Sequence, residues 1–221
     1  MILESLRRWW GGGNDLPNWS ALAGWAKAHK WSARRTMAHD GWVMTSGAHP
    51  LWRIEWGPSQ RSFMSNHELR VRIEAPHITE AQAMVLDRPL LARMDHEVYQ
   101  QFTDSVQTRY DDQLPEEMRW LSIHARLGSQ DLAGLRERYG AVGHEIPWAA
   151  AWLKGGLADA LKRRAARIPV DAASSEPLMV RVARGKLVLR QAAENPGVEA
   201  LEILVDVAQA AEAATRRMPP E

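Results

Sequence analysis

LWRIEWGPSQRSFMSNHELRVRIEA, residues 51–75, holds two runs of strict alternation around a polar connection. Trp52, Ile54 and Trp56 fall on one face of a first strand, and Leu69, Val71 and Ile73 on one face of the next, because successive strand side chains point to opposite sides. The reading is a β-hairpin with one apolar side. Its other side carries Arg53 and Glu55, then Glu68, Arg70, Arg72 and Glu74, a set suited to water or to cross-strand ion pairs. Between the runs, Gly57-Pro58 stiffens the connection. Gln60 and Arg61 on that connection, with Arg70 and Arg72 nearby on the same sheet, are the candidate binding residues, able to hold an anion or a partner carboxylate. A solvated loop beside a cross-strand charge ladder is the competing account of the same four residues.

Outward from this hairpin the chain supplies more of the same. Asn18 or Ser20 caps a helix to about His29, and strands over Ser32–Met37 and Trp42–Thr45 flank Asp40-Gly41, a pair with hairpin-turn chemistry. Pro76 closes the meander, Ala83–Leu86 adds a short extended piece, and Pro89 opens an amphipathic helix to about Gln107 with Leu91, Met94, Val98, Phe102 and Val106 at helical spacing. Residues 109–115 are a polar break, after which Pro115, Glu116 and Glu117 read as a helix first turn. Trp120–Ala125 suits either helix or strand. Ser129 begins a helix with Leu132, Leu135 and Tyr139 on one face, stopped by Gly140 and Gly143. Pro147 begins another to about Arg167, with a possible kink at Gly155-Gly156.

Residues 168–177 read as a surface linker, and a second hairpin follows. Leu178, Val180 and Val182 alternate, Arg184-Gly185 turns, and Leu187 and Leu189 return on the apolar side. The last helix runs from Val198 to about Arg217 with Leu201, Leu204, Val205, Ala208 and Ala211 along one stripe. Sequential hairpins and amphipathic helices predict an α+β fold: a mostly antiparallel sheet with helices packed on one face. The expected division is an N-terminal arm over residues 1–17 and a single α+β domain over 18–218, with a subdivision open near 108–115 or 168–177. Whether the two hairpins share one sheet is left open.

Composition narrows the chemistry. The chain has 221 residues, 45% of them apolar and 25% charged, which suffices for a sizeable core. Its 28 basic and 27 acidic residues leave a net charge of +1, too little for a global field that would draw nucleic acid or an anionic membrane. There is no cysteine, which excludes disulfides, thiolate nucleophiles and cysteine-ligated metals. Eleven tryptophans outnumber two phenylalanines and three tyrosines, and their crowding in the first quarter of the chain reads as core filling, with an aromatic ligand cleft as the alternative.

Residues 2–10 predict a short helix ended by Gly11, Gly12 and Gly13, docked or frayed rather than a membrane anchor. Glu4, Arg7 and Arg8 interrupt any signal-peptide core, no apolar run approaches a membrane span, and a cytoplasmic protein is expected.

Catalytic and metal signatures are lacking. The eight histidines stand singly, without H-x-H or H-E-x-x-H spacing, and no metal or cofactor is expected. Asp111, Asp112, Glu116 and Glu117 form the densest acidic group, explained by a turn and a helix N-terminus. Nucleophile-elbow, P-loop and dinucleotide motifs do not occur.

WRIEWGPSQR followed by HELRVRIE, then SVQTRYDDQLPEEMRWL and ERYGAVG, resembles a group of uncharacterised proteobacterial proteins over nearly the whole chain. The resemblance implies a shared fold and a bacterial origin, and no activity. The first functional expectation is therefore a non-enzymatic cytoplasmic binding or scaffold protein, whose partner is another protein or a second copy of the chain. The second is an enzyme with a site assembled in three dimensions, acting on an anionic small molecule. Peripheral membrane association through residues 1–10 ranks third.

Overall fold

The computed structural model describes residues 16, 18–64, 66–104, 114–169 and 176–219. The chain runs α1 (Trp19–Ala28), β1 (Trp31–Arg35), β2 (Trp42–Ser46), β3 (Trp52–Pro58), β4 (His67–Glu74), β5 (Gln82–Asp87), α2 (Arg88–Asp104), α3 (Glu116–Ile123), β6 (Ala125–Arg126), α4 (Ser129–Leu132), a 3-10 turn (Ala133–Leu135), β7 (Tyr139–Gly143), α5 (Ile146–Leu153), α6 (Gly156–Arg167), β8 (Leu178–Ala183), β9 (Lys186–Ala192) and α7 (Val198–Arg217). The strands form one sheet in the order β1-β2-β3-β4-β9-β8-β5-β7-β6, and every neighbouring pair is antiparallel. This is the expected α+β class. The anticipated helix over 2–10, the glycines 11–13, the end of the α2 helix beyond 104, the polar break over 109–113 with Asp111 and Asp112, and the centre of the 168–177 linker lie outside the described residues.

The two hairpins share this sheet, because β4 pairs with β9 from Glu68 opposite Ala192 to Glu74 opposite Lys186. The register keeps apolar faces together. Ile54 faces Val71, Val71 faces Leu189, Leu189 faces Val180 and Val180 faces Val85, giving a continuous apolar row across five strands. The Arg184-Gly185 turn takes φ of 50° and 68°, the positive values that a two-residue hairpin turn with the right twist requires.

The apolar row is covered by α1, α5, α6 and α7. Leu22 and Trp25 of α1, Trp152 of α5, Leu157 and Leu161 of α6, and Leu201, Leu204 and Ala208 of α7 are buried in the same core as the strand side chains. The early tryptophans do fill this core: Trp25 meets Trp31 edge-on at 5.8 Å, and Trp31 meets Trp52 at 6.0 Å. Helices cover the opposite face as well, a departure from the one-sided arrangement. Leu90, Leu91, Met94 and Val98 of α2, and Met118, Trp120 and Leu121 of α3, bury Met84, Leu86, Val142 and Met179. The reason lies in β5 and β8, where QAMVLD and LMVRVA carry apolar side chains on both parities, as two-sided burial demands.

Trp120–Ala125, undecided from sequence, is mostly helix: α3 continues through Ile123, and only Ala125 and Arg126 are strand. The helix expected from Ser129 to Tyr139 is corrected. It ends at Leu132, and Tyr139–Gly143 is β7, a fully buried strand beside β5. Gly140 and Gly143 are there for close approach rather than to stop a helix. A Cβ on Gly140 would lie 2.4 Å from Leu91 Cδ2, and one on Gly143 would lie 2.7 Å from the Cβ of Ala149, so a helix presses on each side of the strand. The Gly155-Gly156 pair separates α5 from α6, with Gly155 at a φ of 70° that favours glycine.

Two outcomes follow from this packing. Leu189→Ala, at a fully buried position in the central row, is expected to destabilise by about 2–5 kcal/mol in urea unfolding. Gly143→Ala is expected to cost about 1–3 kcal/mol through overpacking against Ala149. Ala149→Gly in the same chain should recover part of that loss, whereas strictly additive effects in the double-mutant cycle would rule out the contact as the cause.

Candidate functional site: an arginine and glutamate network under the hairpin loop

On the face opposite the tryptophan core, the polar side of the β3–β4 hairpin is drawn into the protein. Glu68 is fully buried, and one of its oxygens accepts hydrogen bonds from Arg70 Nη1 at 2.9 Å, Arg190 Nη1 at 2.6 Å and the backbone N of Gln60 at 3.0 Å. Glu55, also buried, accepts from Arg70 Nε at 3.3 Å and from Arg53 Nε at 2.6 Å. Cross-strand pairing explains this part, since Glu55 stands opposite Arg70, and Arg70 opposite Arg190.

The rest is assembled by the loop and α3. Arg61 on the loop grips Glu117 with two nitrogens, at 3.0 and 3.3 Å, and Glu117 is 1% exposed. Arg181 from β8 reaches both Glu116 at 2.9 Å and Glu117 at 3.2 Å, and its guanidinium lies over the Trp120 ring at 5.4 Å. Arg184 completes the set on Glu116 at 2.9 Å. Phe63 and Met64 are buried, and Arg93 of α2 donates to the Phe63 carbonyl at 3.0 Å, holding the loop down over the charges.

The four residues singled out from sequence therefore have different fates. Arg70 is enclosed and spent on Glu55 and Glu68. Arg61 is half-buried and turned toward Glu117. Gln60 and Arg72 remain at the surface, joined by a bond of 3.2 Å from Arg72 Nη2 to Gln60 Oε1. Sequence reasoning missed Arg190 and Arg181, because which hairpins pair is not written locally. It read Glu116 and Glu117 as a helix first turn within the densest acidic group, with a magnesium site or a shared proton as the alternative, and not as partners of arginines. The alternation put Arg53 and Arg72 on the same polar side of the hairpin, and the register sets them opposite each other.

The electrostatics describe a fixed, positively biased cluster. Among the described residues, arginines 53, 61, 70, 72, 181, 184 and 190 gather around glutamates 55, 68, 116 and 117. Burial pushes the Glu117 carboxyl upward, but the hydrogen bond from Arg61 and the charges of Arg181 and Arg61 outweigh it and hold the group below its ordinary value. Glu55 is likewise held low: burial is opposed by Arg53, Arg70 and Arg72. Burial pulls Arg190 downward, against Glu68. Carboxylates kept ionised in this way are poor general acids; what the cluster offers is charge and shape.

Elsewhere, two histidines that look isolated in sequence meet. His124 Nε2 donates to Gln82 Oε1 at 2.8 Å and lies 5.6 Å from His144, ring to ring, and burial followed by the His144 charge lowers its pKa. Among the described residues, no group of three or more His, Asp or Glu side chains is placed to hold a metal ion. On the tryptophan side, fully buried Asp87 accepts from Arg164 at 2.9 Å, Arg138 at 3.2 Å and the backbone N of Leu178 at 2.8 Å, fastening α6 to the sheet.

Because the folded pKa of Glu117 lies below its ordinary 4.5, its pairing contributes stability above that value and loses it as the pH falls through the folded pKa. Glu117→Gln is expected to destabilise by about 3 kcal/mol at neutral pH, since it leaves Arg61 and Arg181 short of a partner. In acid, urea unfolding of wild type and variant should converge; a gap independent of pH would overturn the assignment.

No protein-family model matches the chain, and no curated protein matches it. Among solved structures, the chain is similar to the crystal structure of the mycobacterial trehalose monomycolate transport factor A, TtfA, with a TM-score of 0.48 and 9% identity over 90% of this chain and 94% of that one.

Proposed function

We propose that the chain is a non-enzymatic binding or scaffold protein of the bacterial cytoplasm, and that it recognises an acidic partner protein on the sheet face beside the β3–β4 loop. The observation that carries this reading is the direct opposition of Arg53 and Arg72 on neighbouring strands. Like charges facing each other across a ladder are destabilising, and here they are kept apart only by leaning toward Glu55 and Gln60. A carboxylate from outside would relieve them. The same face continues outward through exposed Arg34 and Ser32 on β1 and half-buried Thr45 on β2.

The buried network beneath supports such a role by rigidity. Arg70 and Glu55 are locked, so exposed Arg53 and half-buried Arg72 stand on a preorganised base and lose less freedom on binding. A strand face also suits a macromolecular partner more than a small anion, which prefers a concave site. Among the described residues, no helix is long and apolar enough to cross a membrane.

Gln60→Ala with Arg72→Ala removes a pair whose side-chain bond is to each other. The double variant should keep stability within about 0.5 kcal/mol, as exposed substitutions do. Partner recovery in a pull-down from native-host extract should fall as a loss of about 2–5 kcal/mol requires. Undiminished recovery, with an unchanged thermal melt, would remove this face from consideration.

A further inference from the structure

At the outer end of the sheet, β1 pairs with β2, and its other edge meets no strand among the described residues. Thr36 N donates to the Gly41 carbonyl at 2.9 Å, which makes Thr36 and Gly41 a hydrogen-bonded pair closing the β1–β2 ladder. The bonds of an antiparallel ladder alternate, so Arg34 with Val43 and Ser32 with Thr45 are the next such pairs. Trp31 and Ala33 therefore turn their N–H and C=O groups away from β2. Outward backbone groups of this kind are a template for another strand. The opposite end of the sheet offers less, since β6 is two residues long.

The side chains define what kind of strand fits. Ser32 and Arg34 are exposed on one face of β1, while Trp31 and Ala33 are half-buried against the tryptophan core on the other. From residue 16 to residue 54 the chain carries Lys27, Lys30, Arg34, Arg35 and Arg53 against Asp40 alone. That carboxylate accepts from the Thr36 hydroxyl at 2.8 Å, and α1 and β2, the elements packed most closely on β1, contain no acidic residue. A second copy of the chain is a poor occupant. Two β1 strands paired antiparallel about Ala33 would set Arg34 of each copy diagonally across the seam, where like charges repel.

We propose that the β1 edge takes up an extended acidic segment of another protein as a further antiparallel strand, with carboxylates on the Arg34 face and apolar side chains beside Trp31 and Ala33. Backbone bonds supply the affinity of such an addition, and alternate side chains its specificity. Ala33 exchanges both bonds with the residue opposite it, which lies on the apolar face; the acidic residues, one step away, turn their N–H groups outward. The site shares only Arg34 with the face beside the β3–β4 loop. It stands apart from that reading, because neither Arg53 nor Arg72 takes part in it.

The probe is a capped heptapeptide alternating glutamate and valine, titrated into the full chain at low ionic strength and followed by NMR, with the matching lysine and valine peptide as control. In the free chain the Ala33 amide is expected to exchange with solvent faster than those of Ser32 and Arg34, and saturating acidic peptide should slow it about ten-fold or more. N-methylation of the valines should abolish binding, whereas N-methylation of the glutamates should largely spare it. Arg34→Glu should weaken the acidic peptide about five-fold or more and favour the lysine peptide, with a thermal melt to confirm the fold. An Ala33 amide already protected in the free chain would overturn the proposal, and protection that grows with protein concentration would assign the edge to a second copy instead. So would the absence of saturable binding, binding that leaves Ala33 exchange unchanged, equal sensitivity to the two N-methylations, or equal affinity for the lysine peptide.

Discussion

One water-excluded carboxylate holds the middle of the sheet together. Glu68 accepts from the hairpin loop through Gln60, from its own strand through Arg70, and from the next hairpin through Arg190. Taking such a charge out of water is expensive, and the expense is offset only where several donors converge on it. Two guanidiniums and a backbone amide converge on Oε1, while Oε2 is buried without a hydrogen-bond partner among the described residues. The arrangement also depends on the order of the strands: with β4 against β9, Arg190 reaches Glu68, whereas another neighbour would leave Arg190 without that partner.

From that constraint the two halves of the sheet differ. Around β5, β7 and β8 both faces are largely apolar, Arg181 apart, and both are roofed by helices, which forces glycine at the two positions of β7 where helix atoms approach within contact distance. Over β3, β4 and β9 the second face is charged, and the roof is the hairpin's own loop with α3. Farther out, Arg34 and Arg53 are exposed. The surface therefore passes from sealed ion pairs to open guanidiniums within a few strands, which is the gradient on which the proposed recognition of an acidic partner rests.

Each side of the sheet uses an arginine paired to a buried carboxylate to fasten a helix or loop that hydrophobic contact alone would hold less specifically. Arg164 of α6 meets Asp87 with neither side chain exposed, and also donates to the Glu176 carbonyl at 2.9 Å. Arg61 does the same for the hairpin loop through Glu117 of α3. The fork of a guanidinium suits the task, because it satisfies several acceptors in fixed directions where a lysine would supply a point charge.

The sequence by itself determined what depends on neighbours along the chain. The alternation in 51–75 specifies the hairpin and its apolar side, Arg184-Gly185 specifies the second turn, and the spacing from Val198 onward specifies α7. It also put Arg53 and Arg72 on the polar side of that hairpin, while their opposition across the strands came with the folded register. Tertiary structure alone decided that β9 lies beside β4, that β5 sits between β8 and β7, and that the residues 139–143 form a strand. Strand pairing between distant segments carries no local code, and a glycine needed for close approach looks the same as one that ends a helix. The polar side of the hairpin reads as solvent-facing in any local pattern. It is buried because a loop folds back on it and a helix brings Glu117 to Arg61 from 56 residues away in sequence, a meeting that exists only once the chain is folded.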